Sequence, residues 1–175
     1  MTFMELLAKR HSTREYNQIP VTDEQIEKLL IAANASPIGR GLYQNVHLSV
    51  IQNKTLLKEV SSIASEAFGD PSMDPFYGAG TIILASCVKE ASATVGLANS
   101  ACMVENMHLQ ATELGLGSVY LYGFIHTIAK DEALIRRMGV PAGFVPVAAL
   151  AVGNTDSKVP DRELSFSKIA VDYIR

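Results

Sequence analysis

Arg10-His11-Ser12-Thr13-Arg14 places two guanidiniums, an imidazole and a hydroxyl within five residues. A guanidinium is a planar fork of donors that meets phosphate or carboxylate oxygens in pairs, and a neighbouring hydroxyl adds a short donor beside it. The run is therefore a candidate anion site. It also reads as the solvated basic end of a helix, where the negative pole of the helix dipole favours cations.

Other constellations are poorer in chemistry. Glu105-Asn106-Met107-His108 puts a carboxylate and an imidazole on one helical face. A di-iron bundle would need a second Glu-x-x-His and two more carboxylates, and the chain offers no second copy. Glu105 and His108 read instead as polar groups satisfied within a helix or at a dimer interface. Gly115-Leu116-Gly117 follows a helical pattern and opens a strand, the reverse of a dinucleotide fingerprint. Gly115 is expected as a left-handed C-terminal helix cap. The sequence contains no Gly-x-Ser-x-Gly nucleophile elbow, and Cys87 and Cys102 sit in apolar contexts without Cys-x-x-Cys spacing, as buried reduced thiols do. An anion-binding cluster without a nucleophile, acid–base pair or metal set fits an enzyme whose chemistry resides in an organic cofactor.

The elements that must position this cluster are well punctuated. Thr2 with Glu5 and Thr22 with Gln25 have capping-box spacing. Phe3, Leu6 and Leu7 follow the first, and Ile26, Leu29, Leu30 and Ala33 give the second a helical stripe. Val46, Leu48 and Val50 alternate as in a half-buried strand, and 54–68 returns to helical spacing. The passage 69–80 is rich in turn residues and leads into a fully apolar strand at 82–88. A helix over 95–114, apolar on most faces, is expected to be central. Strands are predicted at 118–121 and 147–152, with a charged helix over 131–138 between them. Ile169, Val171 and Tyr173 alternate again near the end.

Composition sets the class. The 175 residues are 48% hydrophobic and 19% charged, which suits a single globular domain spanning 1–175. Net charge is −3 and the basic residues are scattered, so nucleic acid is not an expected partner. The longest apolar runs are too short to span a bilayer. Glu5, Lys9 and Arg10 interrupt any signal-peptide pattern, and the expected location is cytoplasmic. Asn53-Lys54-Thr55 then matches a glycosylation acceptor only by chance.

Four segments, in order, resemble the nitroreductase family of flavoproteins: Arg-x-Ser-x-Arg at 10–14, Ser36-Pro37-Ile38-Gly39, Asp74-Pro75-Phe76-Tyr77-Gly78-Ala79, and Leu114-Gly115-Leu116-Gly117-Ser118. The resemblance implies an α+β three-layer sandwich, with a central mixed but mainly antiparallel sheet between helices, in an intertwined homodimer holding one FMN per subunit. It assigns Arg10, His11 and Ser12 to the phosphate and ribityl chain, and Arg14 to the pyrimidine edge of the flavin. Tyr122 and Gly123 match the backbone facing N5 and O4. Lys158 and Arg162 complete the phosphate site, while Pro37, Ile38 and Gly39 reach the flavin of the opposite subunit. Ser72 and Asp74 lie where some relatives contact the pyrimidine, here through backbone. No protein side chain need be catalytic.

The implied activity is transfer of electrons from NADH or NADPH to a nitroaromatic, quinone or similar conjugated acceptor, by a ping-pong mechanism on one flavin face. A non-catalytic FMN-binding or flavin-supplying protein of the same fold is the alternative. The chain departs from the family at Gly39-Arg40-Gly41-Leu42-Tyr43-Gln44-Asn45, where many members have Asn and then Gln-Pro-Trp, and it contains no Trp. Its short length implies a more open site. The tail, about 153–175, is expected to reach the partner and add a strand to its sheet edge, in an interface on the order of 2,000 Å².

Overall fold

A computed structural model describes residues 1–91 and 94–175. Both capping boxes form. The Thr2 hydroxyl accepts from Glu5 N while the Glu5 carboxylate accepts from Thr2 N at 2.7 Å, which starts α1 (Phe3–Lys9). Thr22 and Gln25 repeat the exchange at the start of α2 (Asp23–Asn34). These reciprocal bonds satisfy amide donors that a helix start otherwise leaves open.

The chain continues through β1 (Val46–Ile51), α3 (Lys54–Ala67), β2 (Thr81–Val88), α4 (Val95–Glu113), β3 (Gly117–Leu121), α5 (Ile125–Ile128), α6 (Glu132–Arg137) and β4 (Phe144–Gly153). The strands form one sheet in the order β1-β2-β4-β3. All three pairings are antiparallel, so among the described residues the parallel component of a mixed sheet is absent. Pro146 lies in β4 beyond its last pair with β3, Leu121 with Ala149, so one side of the strand is unpaired there and a residue without an amide hydrogen fits; the register with β2 shifts beside it, between Ala85 and Ser86.

Helices cover both faces of the sheet, giving three layers. Ile82, Leu84, Ala149 and Ala151 face a core closed by α3, α5 and α6, whereas Ile83, Ala85, Leu150 and Val152 face α2 and α4. Both central strands are thus buried on both sides, which explains their continuous apolar runs. The long helix α4 packs on α1, α2 and all four strands, confirming it as central. The predicted alternation in β1 holds only in part. Val46 and Leu48 pack toward α4, but Val50 is exposed, and the buried residues are Ser49 and Ile51 on the opposite face. Gly115 has φ +73 and caps α4 as expected.

Strand β4 begins three residues earlier than expected, and the four-residue α5 carried no sequence signal. Residues 154–175 contain no strand in this chain, and those beyond Thr155 are exposed.

Candidate active site around the first inter-helix segment

Residues 10–17 follow α1 outside any helix or strand and lie against the start of β3 and the end of β4. Thr13 N donates to Ser118 O at 2.9 Å and Asn17 N to Asn154 O at 2.9 Å. Two glycines permit this close crossing. A Cβ on Gly117 would stand 2.6 Å from Thr13 Cγ2, and one on Gly153 would stand 2.8 Å from the Tyr16 ring. The Tyr16 hydroxyl donates to Thr13 O at 3.0 Å, so a buried side chain closes the turn from below.

Arg10 is the C-cap of α1, its amide bonded to Leu6 O. The tail returns to the same helix end: Arg162 N donates to Ala8 O at 2.9 Å, and its guanidinium donates to Leu7 O at 2.7 Å. These bonds satisfy carbonyls at the helix C-terminus that have no partner within the helix. They also bring a second guanidinium beside Arg10. Partial burial and the Arg162 charge hold the Arg10 pKa below its ordinary value. Among the described residues no carboxylate forms an ion pair with Arg10, Arg14 or Arg162.

The imidazole of His108, 2% exposed on α4, supports the cluster from beneath. Its Nε2 lies 3.1 Å from His11 O and 3.3 Å from an Arg10 guanidinium nitrogen. A carbonyl only accepts, so Nε2 carries the hydrogen and gives it to His11 O. Arg10 then keeps its own hydrogens for another acceptor. Burial is the main cause that lowers the His108 pKa to about 4, so the ring is neutral at neutral pH. His11 in turn has Nδ1 3.0 Å from Lys9 O and Nε2 3.4 Å from the Thr13 hydroxyl.

Arg14 is exposed and its guanidinium sits 5.7 Å from the centre of the Tyr77 ring. Tyr77 belongs to the loop 69–80, and the residue before it, Phe76, packs edge-on against Phe124 with centroids 5.1 Å apart. Tyr122 and Gly123 precede Phe124 at the end of β3, with Tyr122 exposed and its ring edge-on to His126. The Arg14–Tyr77 and Phe76–Phe124 contacts therefore link the 10–14, 74–78 and 122–124 segments in one chain of contacts.

Other sequence-assigned residues have different local roles. The Asp74 carboxylate accepts from Phe76 N, Gly78 N and the Ser61 hydroxyl, and Ser72 is bonded to Asp70 through amide and hydroxyl. Both shape their loop. Ile38 is buried in the α2–α4 core, leaving Pro37 as the exposed side chain of its segment. Gly39 N donates to Asn99 Oδ1 at 3.0 Å, and Asn106 Nδ2 donates to the Ser36 hydroxyl at 2.9 Å. Asn99 and His108 are nine residues apart on α4, about 13 Å along the axis, so the 36–39 turn and the Arg10 cluster hang from different parts of one helix. Lys158 is exposed on the tail.

Sequence reasoning weighed His108 as a metal ligand and as a satisfied polar group. The structure satisfies it through the cluster itself, and among the described residues no group of three potential ligands gathers around any point. It missed Tyr77, Asn99 and Asn106 as supporting residues. No described helix is long and apolar enough to cross a membrane.

The sequence matches the Nitroreductase family over residues 7–154. A protein of Archaeoglobus fulgidus, whose name NADH dehydrogenase/NAD(P)H nitroreductase is itself provisional, is 29% identical over 151 residues, covering 86% of this chain and 83% of the relative. The fold is similar to a nitroreductase with bound FMN from Bacteroides fragilis (TM-score 0.84, 21% identity, 97% and 98% of the two chains). It is equally similar to one with bound FMN from Desulfitobacterium hafniense (TM-score 0.84, 22% identity, 97% of both chains).

Proposed function

The chain belongs to the nitroreductase family, and from that premise we propose that it is an FMN-dependent oxidoreductase. In this reading it passes electrons from NADH or NADPH to a nitroaromatic, quinone or similar conjugated acceptor. The observation that carries the reading is the meeting of Arg10 and Arg162 at the end of α1 with no carboxylate partner among the described residues. Two such guanidiniums repel one another and are stabilised by an anion between or above them. A single phosphate fits that donor set. The absence of a glycine-rich fingerprint disfavours a second nucleotide, and so FAD.

FMN supplies two-electron redox chemistry when bound; the chain's residues bind and orient it. Arg10, Ser12 and Arg162 would hold the phosphate end, with His11 beside them and Lys158 contributed from the tail. Arg14, at the other end of the segment, offers a fixed positive charge to the pyrimidine edge. A cation there stabilises negative charge that accumulates on reduction and so raises the tendency to accept hydride. Tyr122 and Gly123 present backbone to the reacting edge. With FMN bound, donor and acceptor would occupy the same open site in turn, which would give ping-pong kinetics.

The active unit is a symmetric dimer of one-domain subunits in the cytoplasm. Phe166, Ile169 and Ile174 are 93%, 79% and 97% exposed on the tail, an apolar content that an arm in water does not sustain. A partner subunit covers it, and Pro37 to Gly39 approach the partner's flavin.

The test is the visible spectrum of the purified protein and identification of the released chromophore, followed by NADH and NADPH oxidation with menadione or a nitrofuran. A yellow protein that releases FMN and turns over is expected. A protein that takes up no FMN overturns the reading, and one that binds FMN without turnover reduces it to flavin binding.

A further inference from the structure

Tyr77 has φ +56, and it shares a positive φ with only one other described residue that is not glycine, Arg40. A tyrosine adopts this left-handed region against its steric preference, so the surrounding structure must impose it. Asp74 does so. One carboxylate oxygen accepts from Phe76 N at 2.9 Å and from the Ser61 hydroxyl at 2.9 Å, and the other accepts from Gly78 N at 2.7 Å. Tyr77 N donates to Asp74 O at 3.1 Å, closing the turn. Amides on both sides of Tyr77 are therefore fixed to one side chain. Phe76, 2% exposed, anchors the loop in the core against Phe124.

The outcome of this imposed turn is the placement of one aromatic ring. Tyr77 stays partly exposed, and its ring lies within cation–π range of the Arg14 guanidinium. Arg14 has one further polar contact, a long 3.4 Å bond to Ser12 O. A surface arginine held by that bond alone would sample many rotamers and present a diffuse charge.

We propose that Tyr77 is a positioning residue for Arg14, through which the loop 74–78 fixes the charge that tunes the flavin. The proposal rests on the reading of the site as an FMN site. The charge effect falls with distance, so a guanidinium held in one place acts on the pyrimidine edge more strongly than a mobile one. The same loop meets the 122–124 segment through Phe76 and Phe124. Tyr77 thus links the position of Arg14 to the strand end that faces the reacting edge.

The experiment compares Tyr77→Phe, Tyr77→Leu and Tyr77→Gly in the FMN-loaded full chain. It reads FMN affinity, flavin midpoint potential, the rate of flavin reduction by NADH or NADPH, and thermal stability. In the FMN-free protein it also reads the Arg14 side-chain Nε–H resonance, which a nearby ring current displaces. Tyr77→Phe should match wild type in every measurement, because the ring remains.

Tyr77→Leu should keep FMN affinity within about twofold but shift the potential to more negative values. It should slow flavin reduction about two- to fivefold, the range of an exposed cation–π contact, and lose the ring-current displacement. Tyr77→Gly should show the same losses at unchanged or raised thermal stability, since glycine relieves the left-handed turn. Wild-type potential and reduction rate in the loaded Leu and Gly variants overturn the positioning role, even if the Arg14 resonance moves. A wild-type protein that takes up no FMN overturns the cofactor reading, while the Arg14 resonance still reports whether the contact exists.

Discussion

His108 Nε2 lies 3.1 Å from the carbonyl oxygen of His11 and so joins the central helix α4 to the segment that carries the cationic cluster. The ring is buried, and burial lowers its pKa from the ordinary 6.5 to about 4. Glu105 Oε2, 3.8 Å from Nδ1, and the Arg10 guanidinium face it with opposite charge.

The sign of the resulting pH dependence follows directly. In the unfolded chain His108 gains a proton as pH falls through about 6.5, whereas the folded chain resists until about 4. The folded state is therefore penalised as pH falls across this window, and above pH 6.5 the contribution to the pH slope vanishes. The gap is worth about 3 kcal/mol at most. Gln places its amide nitrogen near the position of Nε2 and does not titrate. Denaturant unfolding between pH 7 and 4 should show a smaller loss of stability in His108→Gln than in wild type. Equal slopes would place the acid sensitivity elsewhere.

Arg10→Ala removes one of the two guanidiniums at the end of α1. Loss of a charge-assisted contact of about 1.5–3 kcal/mol should weaken FMN affinity by about tenfold to a hundredfold. Arg14→Ala should act differently, lowering the flavin potential and the rate of hydride acceptance more than it lowers affinity. Titration of the FMN-free protein and spectroelectrochemistry separate the two effects. If both variants equal wild type, the 10–14 run is only a solvated helix end.

Much of this arrangement was legible in the sequence because it is local. The capping boxes, the Gly115 cap and the continuous apolar strands 82–88 and 147–152 follow from spacing and backbone preference. What escaped was non-local. Nothing near Asn99 or Asn106 signals that their amides hold the 36–39 turn from about 60 and 70 residues away. Asp74 has the residue type of a ligand, yet its carboxylate is taken up by Ser61, Phe76 and Gly78. The left-handed Tyr77 was invisible because its neighbour Gly78 is the residue that spacing would select for such a turn.

The crossing of the 10–17 segment over the sheet gives a steric prediction. Gly153→Ala would put a methyl 2.8 Å from the buried Tyr16 ring, which has no flexible end to yield. Overpacking of this kind costs about 1–3 kcal/mol. Because Tyr16 also fixes Thr13 O, thermal stability and FMN affinity should fall together. Gly80→Ala is the control: nothing lies within 4 Å of its Cβ position and its φ is not left-handed. It should leave both quantities unchanged or raise stability slightly. Thermal melts and FMN titration on the two variants check this, and equal behaviour would show that the crossing tolerates displacement.

The tail makes the last prediction. Arg162 bonds to the end of α1, beside the proposed anion site, whereas every residue beyond it is exposed in the single chain. A truncation after residue 164 keeps the Arg162 contacts but removes Phe166, Ile169, Val171, Tyr173 and Ile174. If these side chains are buried on a partner, their loss removes several kcal/mol of apolar burial from each half of the interface. The dimer should then dissociate at micromolar concentration. FMN should leave with it, because Pro37 to Gly39 no longer approach the partner's flavin. Sedimentation velocity, followed at 280 nm and at the flavin absorbance, reads both events in one run. A truncated monomer that retains FMN would show that each subunit holds its cofactor alone.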